Sequence, residues 1–165
     1  MSKQEIRHPD RATSTGVYSA AVAVDGWVYV SGIGPVDPQT GQAVRGSIED
    51  ETRHVMGQLD RILGAAGCTR HDVVKCTVHL ADIEDFDRFN TVYREFFRDV
   101  AVLPARTTVQ SVLWNAIKVE IDCVAKQSQT QTRGETSPNP DSRFESPNRR
   151  SEEHTSELQS PNTSS

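Results

Sequence analysis

The chain has 165 residues, 35% of them hydrophobic, and a formal net charge of −5 at pH 7. That length allows one domain with an appendage, and the acidic balance argues against a sequence-independent grip on nucleic acid or anionic lipid. No apolar run could span a bilayer and "MSKQEIRHPDRAT" lacks the apolar stretch of a signal peptide, so a cytoplasmic protein is expected.

Residues 1–13 read as a flexible N-terminus. "VYSAAVAVDGWVYVSGIGP" then holds two apolar runs about Asp25-Gly26, the dipeptide that a type I′ hairpin turn prefers. "VDPQTG" marks a turn. From Ser47 the period changes: Ile48, Val55, Met56, Leu59, Ile62, Leu63 and Ala66 recur at helical spacing, with Ser47 and Asp50 as a capping pair and Gly67 as the stop. "DVVKCTVHLAD" alternates Val74, Cys76, Val78 and Leu80 with Lys75, Thr77 and His79, as a strand does. A second helix places Phe86, Phe89, Tyr93, Phe96, Phe97 and Val100 on one side, and the acids at its start suit the helix dipole. Pro104 closes it, and two strands follow, "RTTVQSVL" and "KVEIDCVA".

The resulting order is β-β-α-β-α-β-β, in which two amphipathic helices can cover only one face of the sheet. Val119, Ile121 and Cys123 would face those helices, leaving Lys118, Glu120, Asp122 and Val124 on the other side. A half-apolar open face usually finds a partner, often another copy of the chain, so an oligomer is expected.

From Gln127 to Ser165 only Phe144 and Leu158 are apolar, and such a segment cannot offset its ordering entropy, so residues 127–165 read as a disordered tail. Its end, "RSEEHTSELQSPNTSS" from Arg150, resembles a translated sequencing-library adapter; a Ser-rich natural tail is the alternative, and neither carries function.

Several constellations are missing. "SGIGP" lacks the Gly-Lys-Ser/Thr of a phosphate loop, and no G-x-S-x-G elbow is present. Cys68, Cys76 and Cys123 form no C-x-x-C, and His8, His54, His71 and His79 show no ligand spacing, so no metal is expected. What stands out is Arg106 and Glu120, lone charges in apolar strands. A guanidinium can hold a carboxylate through two parallel bonds, and a glutamate flanked by apolar residues can move protons near neutral pH. An internal salt bridge between adjacent strands is the structural alternative.

"SGIGPVDPQTG", "ILGAAGCTRHDVVKCTVHLADIEDFDRFNTVYREFF" and "LPARTTVQ" followed by "KVEIDCVA" together resemble the reactive intermediate deaminase (Rid, or YjgF) family, over residues 14–126. The resemblance implies an α+β, chorismate-mutase-like fold that assembles as a homotrimer, with a central barrel of sheets, helices outside and sites between subunits. It implies cofactor-free hydrolysis of small 2-imino or enamino acids, of the 2-iminobutanoate and 2-iminopropanoate type, to 2-keto acids and ammonia. Arg106 matches the family arginine that grips the substrate carboxylate, and Glu120 the glutamate that positions or activates water. Tyr18, Ser31, Gly32 and Asn90 match residues of the pocket. Thr108 stands two after the arginine, where the family often has cysteine, and is grouped with the substrate-binding residues.

The sequence also departs from the family pattern. Ser-Gly-Gln becomes Ser31-Gly32-Ile33, the connection from Arg106 to Glu120 is one residue short, and Trp114-Asn115 replaces a common Leu-Pro. These changes border the pocket and bear on substrate range. Two other functions stay open: a non-catalytic trimer that binds a keto acid, and an RNA-acting translation inhibitor, against which the acidic charge weighs.

Overall fold

The computed structural model describes residues 2–12 and 16–128. Of the disordered tail expected over residues 127–165, residues 129–165, the adapter-like end included, lie outside the described residues.

Among the described residues the elements are β1 (Lys3–Ile6), β2 (Ala21–Val24), β3 (Trp27–Ile33), α1 (Ile48–Ala65), β4 (Val73–Leu80), α2 (Phe86–Phe96), β5 (Ala105–Gln110) and β6 (Val119–Lys126). From β2 onward this is the expected α+β order. The addition is β1, which corrects the flexible N-terminus expected over residues 1–13: Lys3 pairs with Val24 and Ile6 with Ala21, and Ile6 is buried. One inward apolar residue in a four-residue strand leaves too little periodicity to read.

Local chemistry accounts for the element ends. Asp25 and Gly26 have φ of 49° and 77°, the positive pair that a type I′ turn requires. At the start of α1 the Ser47 hydroxyl accepts from the Asp50 N–H at 3.1 Å, and the Asp50 carboxylate accepts from the Ser47 N–H at 3.4 Å. Val55, Leu59, Ile62 and Leu63 of α1 are fully buried in the core shared with the sheet.

The strand order is β1-β2-β3-β6-β4-β5. Among the described strands only β4 and β5 run parallel, joined through α2 by the crossover that parallel strands need. The two faces separate as the pleat dictates: Val119, Ile121, Cys123 and Ala125 of β6 are buried under the helices, and Glu120, Asp122 and Val124 are on the open face. Register places Val22, Val24, Trp27 and Tyr29 on that open face, and Tyr29 is 49% exposed.

Two residues depart from the expected alternation. Val74 is exposed, because the pairing of β4 with β6 slips between Val73 and Lys75 and puts Val73 inside instead. Lys118 reaches the helix side rather than the open face. Its ammonium is 3.4 Å from Oε1 of Glu51 on α1, and its N–H donates to Oε2 at 2.6 Å. Glu51, buried at 1% exposure, also accepts from the Gly46 N–H at 3.2 Å, so α1 holds the entry to β6 in place.

The body extends past Lys126. The Gln127 N–H donates to the Gly26 carbonyl at 2.8 Å, its side-chain amide to the Ala66 carbonyl at 2.7 Å, and the Ser128 hydroxyl to Asp72 at 2.6 Å. Truncation after Lys126 is therefore expected to cost about 1–2 kcal/mol, the worth of a few part-exposed hydrogen bonds. Truncation after Ser128 is expected to leave the melting temperature unchanged; thermal melts of both proteins check this.

Candidate active site

Arg106 sits on the edge strand β5 opposite Cys76 of β4, which in turn lies opposite Cys123 of β6. Both cysteines are buried beneath the helices, so Arg106 belongs to the helix-covered face. Its guanidinium lies over the rings of Phe86, Phe89 and Tyr93, at 5.5, 5.6 and 4.6 Å from the centroids. With Asn90 these residues form one stripe of α2, at spacings of three, four and seven. Such ring contacts fix the plane of the cation while leaving its edge free. Among the described residues Arg106 makes no hydrogen bond or ion pair, so its five N–H donors are uncommitted.

Two further groups flank it. The hydroxyl oxygens of Thr108 and Tyr93 are buried without a hydrogen-bond partner. Burial, with the Cys76 thiol alongside, pushes the Tyr93 phenol far above its usual range, so it stays a neutral hydroxyl. Burial likewise raises the Cys76 and Cys123 thiols, which makes them poor nucleophiles. Buried hydroxyls are normally partnered. The unpartnered Thr108 hydroxyl, and a Tyr93 hydroxyl with only the weak Cys76 thiol at hand, beside an uncommitted guanidinium fit an anion with several acceptor oxygens.

Glu120 occupies the other face, opposite His79 of β4. Its carboxylate folds over Gly32, where an added Cβ would sit 2.5 Å from Oε1 and 3.0 Å from Cδ. Gly32 falls where the β3–β6 register breaks, between Val30 and Ile33. Beside it the Ser31 hydroxyl donates to the Ser19 carbonyl at 2.7 Å and the Ser31 N–H to the Ala20 carbonyl at 3.0 Å, which ties the segment after Tyr18 to β3. Together Tyr18, Gly32, Ile33, Trp114, Ile117 and Glu120 line part of a cleft of about 320 Å³. Glu120 itself has no hydrogen bond or ion pair among the described residues.

The expected site thus divides in two. Tyr18, Ser31, Gly32 and Glu120 gather at one place, while Asn90, Arg106 and Thr108 gather at another. Strand β4 lies between β5 and β6, and the side chains of Arg106 and Glu120 leave on opposite faces. This excludes the internal salt bridge, and it equally excludes a single-chain pocket holding both charges. The sequence shows the aromatic stripe as one side of the second helix, but nothing in its spacing assigns it to Arg106.

Fold and site define a small α+β domain with helices on one face, an uncommitted arginine at one edge, and an uncommitted glutamate over a glycine on the open face. The chain belongs to the reactive intermediate deaminase (Rid, YjgF) family, whose profile, described as endoribonuclease L-PSP, matches residues 9–127. It is 42% identical over 120 residues to the rat 2-iminobutanoate/2-iminopropanoate deaminase, covering 72% of this chain and 86% of the rat protein. It is also 38% identical over 124 residues to a RutC family protein of Aquifex aeolicus, covering 74% of this chain and 98% of the other. Among solved structures, YyfA of Yersinia pestis, a Rid-family protein, aligns with a TM-score of 0.71 at 33% identity, covering 76% of this chain and 99% of that one. TdcF of E. coli, solved with bound serine, aligns with a TM-score of 0.69 at 33% identity over the same shares.

Proposed function

We propose that this protein hydrolyses small 2-imino acids to 2-keto acids and ammonia, at sites shared between copies of the chain. The observation that carries the reading is the pair of uncommitted, opposite charges on opposite faces. A carboxylate receptor (Arg106 with the Thr108 and Tyr93 hydroxyls) and the proton acceptor Glu120 in its cleft cannot meet within one chain. They meet if the edge of one copy docks at the cleft of the next. The apolar open face with Val22, Val24, Trp27 and Tyr29 supports such self-association, and the family resemblance supplies the number three. The deaminase names of relatives such as the human protein, at 41% identity over 118 residues, support the reaction.

The chemistry follows from the two halves. The Arg106 fork holds the substrate carboxylate, which does not react, and so places the C=N carbon before Glu120. Glu120 takes a proton from water as the oxygen attacks that carbon, and the C=N π electrons pass to nitrogen. The tetrahedral intermediate bears hydroxyl and amine on one carbon. Glu120 completes that amine by giving its proton to nitrogen, then takes the hydroxyl proton and passes it to the same nitrogen; the C–N bond breaks, and ammonia leaves with the bonding pair as the oxygen forms the keto C=O. Water is consumed once and Glu120 ends as it began.

Gly32 is part of this arrangement. Gly32→Ala would push aside the flexible end of Glu120 rather than backbone. The expected result is a fall in turnover of about tenfold or more with little change in melting temperature, because small misplacements of a catalytic group are costly. Steady-state rates and melts on the one variant check both parts.

A second reading, suggested by the family description as an endoribonuclease, is action on RNA. The net charge of −5 weighs against it. The direct test generates 2-iminopropanoate or 2-iminobutanoate in situ with a dehydratase and measures ammonia release. Acceleration is expected; no acceleration on any small imino acid would leave the keto-acid-binding reading in its place.

A further inference from the structure

The segment from Ser111 to Lys118, which joins β5 to β6, is held in an unusual conformation beside Glu120. Asn115 and Ala116 have φ of 55° and 53°, two consecutive residues without glycine's freedom in the left-handed region. Such backbone persists only where its surroundings over-determine it. Here they do. Arg45 donates to the Asn115 carbonyl at 3.0 Å and to its side-chain oxygen at 2.7 Å, Ile117 is buried, and the Lys118 N–H is held by the buried Glu51. The residue that this bracing presents is Trp114, which is 63% exposed yet lines the Glu120 cleft with Tyr18, Ile33 and Ile117.

The geometry points to Trp114 as a specificity-determining wall, braced by the Arg45–Asn115 clamp, that makes this cleft select 2-imino acids with large apolar side chains, branched or aromatic, over the smallest ones. The inference rests on the imine-hydrolysis reading and adds the substrate class. A cleft of about 320 Å³ exceeds the needs of a three- or four-carbon imino acid. Beside the polar His8, Arg11 and Gln58, its wall is mostly aromatic and aliphatic, from Tyr18, Ile33, Val36, Trp114 and Ile117, and each methylene packed against such a wall discriminates by about tenfold or more. An indole carried on a braced loop packs against a side chain with less left to order than one on a free loop.

The experiment compares kcat/KM for imino acids generated in situ from leucine or phenylalanine with that for 2-iminopropanoate. The wild type is expected to favour the large substrates. In Trp114→Ala the large-to-small ratio is expected to fall about tenfold or more, in Trp114→Phe to be largely kept, and in Arg45→Ala to fall as the loop loses its clamp. Loss of folding alone would lower both rates and leave the ratio unmoved. An unmoved ratio in Trp114→Ala, or a wild type that prefers 2-iminopropanoate, overturns the proposal.

A binding measurement separates this inference from the reaction. The chain has two tryptophans, so Trp27→Phe leaves Trp114 as the sole indole reporter. Titration with 2-oxo-4-methylpentanoate is expected to change its fluorescence and to show tighter binding than pyruvate. If no imine is hydrolysed but this preference holds, the reaction fails and the specificity wall stands. Equal binding of the two keto acids overturns the wall.

Discussion

Glu120→Gln is expected to lower turnover about 10²–10⁴-fold, the usual worth of a positioned general base, while melting temperature and assembly stay at wild-type values. The two halves of that expectation have separate causes. The amide is nearly isosteric but cannot accept the proton of the attacking water. Stability is spared because Glu120 makes no hydrogen bond or ion pair among the described residues, so its charge holds nothing together within the chain. Melting curves and ammonia release on the same preparation check both halves. A variant that melts like wild type and still hydrolyses 2-iminopropanoate at full rate would remove Glu120 from the mechanism.

Arg106→Lys is expected to act differently, mainly through KM. Lysine keeps the charge but loses the planar fork and the flat surface that lies on Phe86, Phe89 and Tyr93. The loss is expected to be about 1.5–3 kcal/mol, the range of charge-assisted hydrogen bonds, or roughly ten- to a hundredfold in kcat/KM. The substrate carboxylate is bound alike in ground and transition states, so kcat should change less than KM. A fall confined to kcat, with KM unchanged, would show that Arg106 acts on the reacting atoms instead.

Much of this was legible in the sequence, and the reasons lie in particular residues. The helices announced themselves because Ser47, Asp50 and Gly67 punctuate α1, and because the rings from Phe86 to Phe97 repeat at the helical period. The first hairpin was legible from Asp25-Gly26 alone. Arg106 and Glu120 stood out as isolated charges in apolar strands. Their separation was not legible, because alternation along β5 and β6 says nothing of which strand lies between them. The order β3-β6-β4-β5 is set by tertiary packing. Nor could spacing show that Phe86, Phe89 and Tyr93 do double duty, as core on one side and as a platform for Arg106 on the other. The strand β1 escaped because an edge strand of four residues has almost no pattern to read, and Val74 because a slipped register breaks the alternation that reading relies on.

The central claim is that Arg106 of one copy works with Glu120 of another, and subunit mixing tests it most directly. Arg106→Ala and Glu120→Gln would each be purified as an inactive or weakly active protein, then mixed in equal amounts, unfolded and refolded together. If sites are shared around a closed ring of three, every mixed trimer holds one site with both native residues. Random mixing then restores about a quarter of wild-type activity, counting the trimers that stay unmixed. Recovery to about that level is the predicted result. Activity no higher than the average of the two separately refolded variants, in a preparation shown to contain mixed trimers, would contradict it.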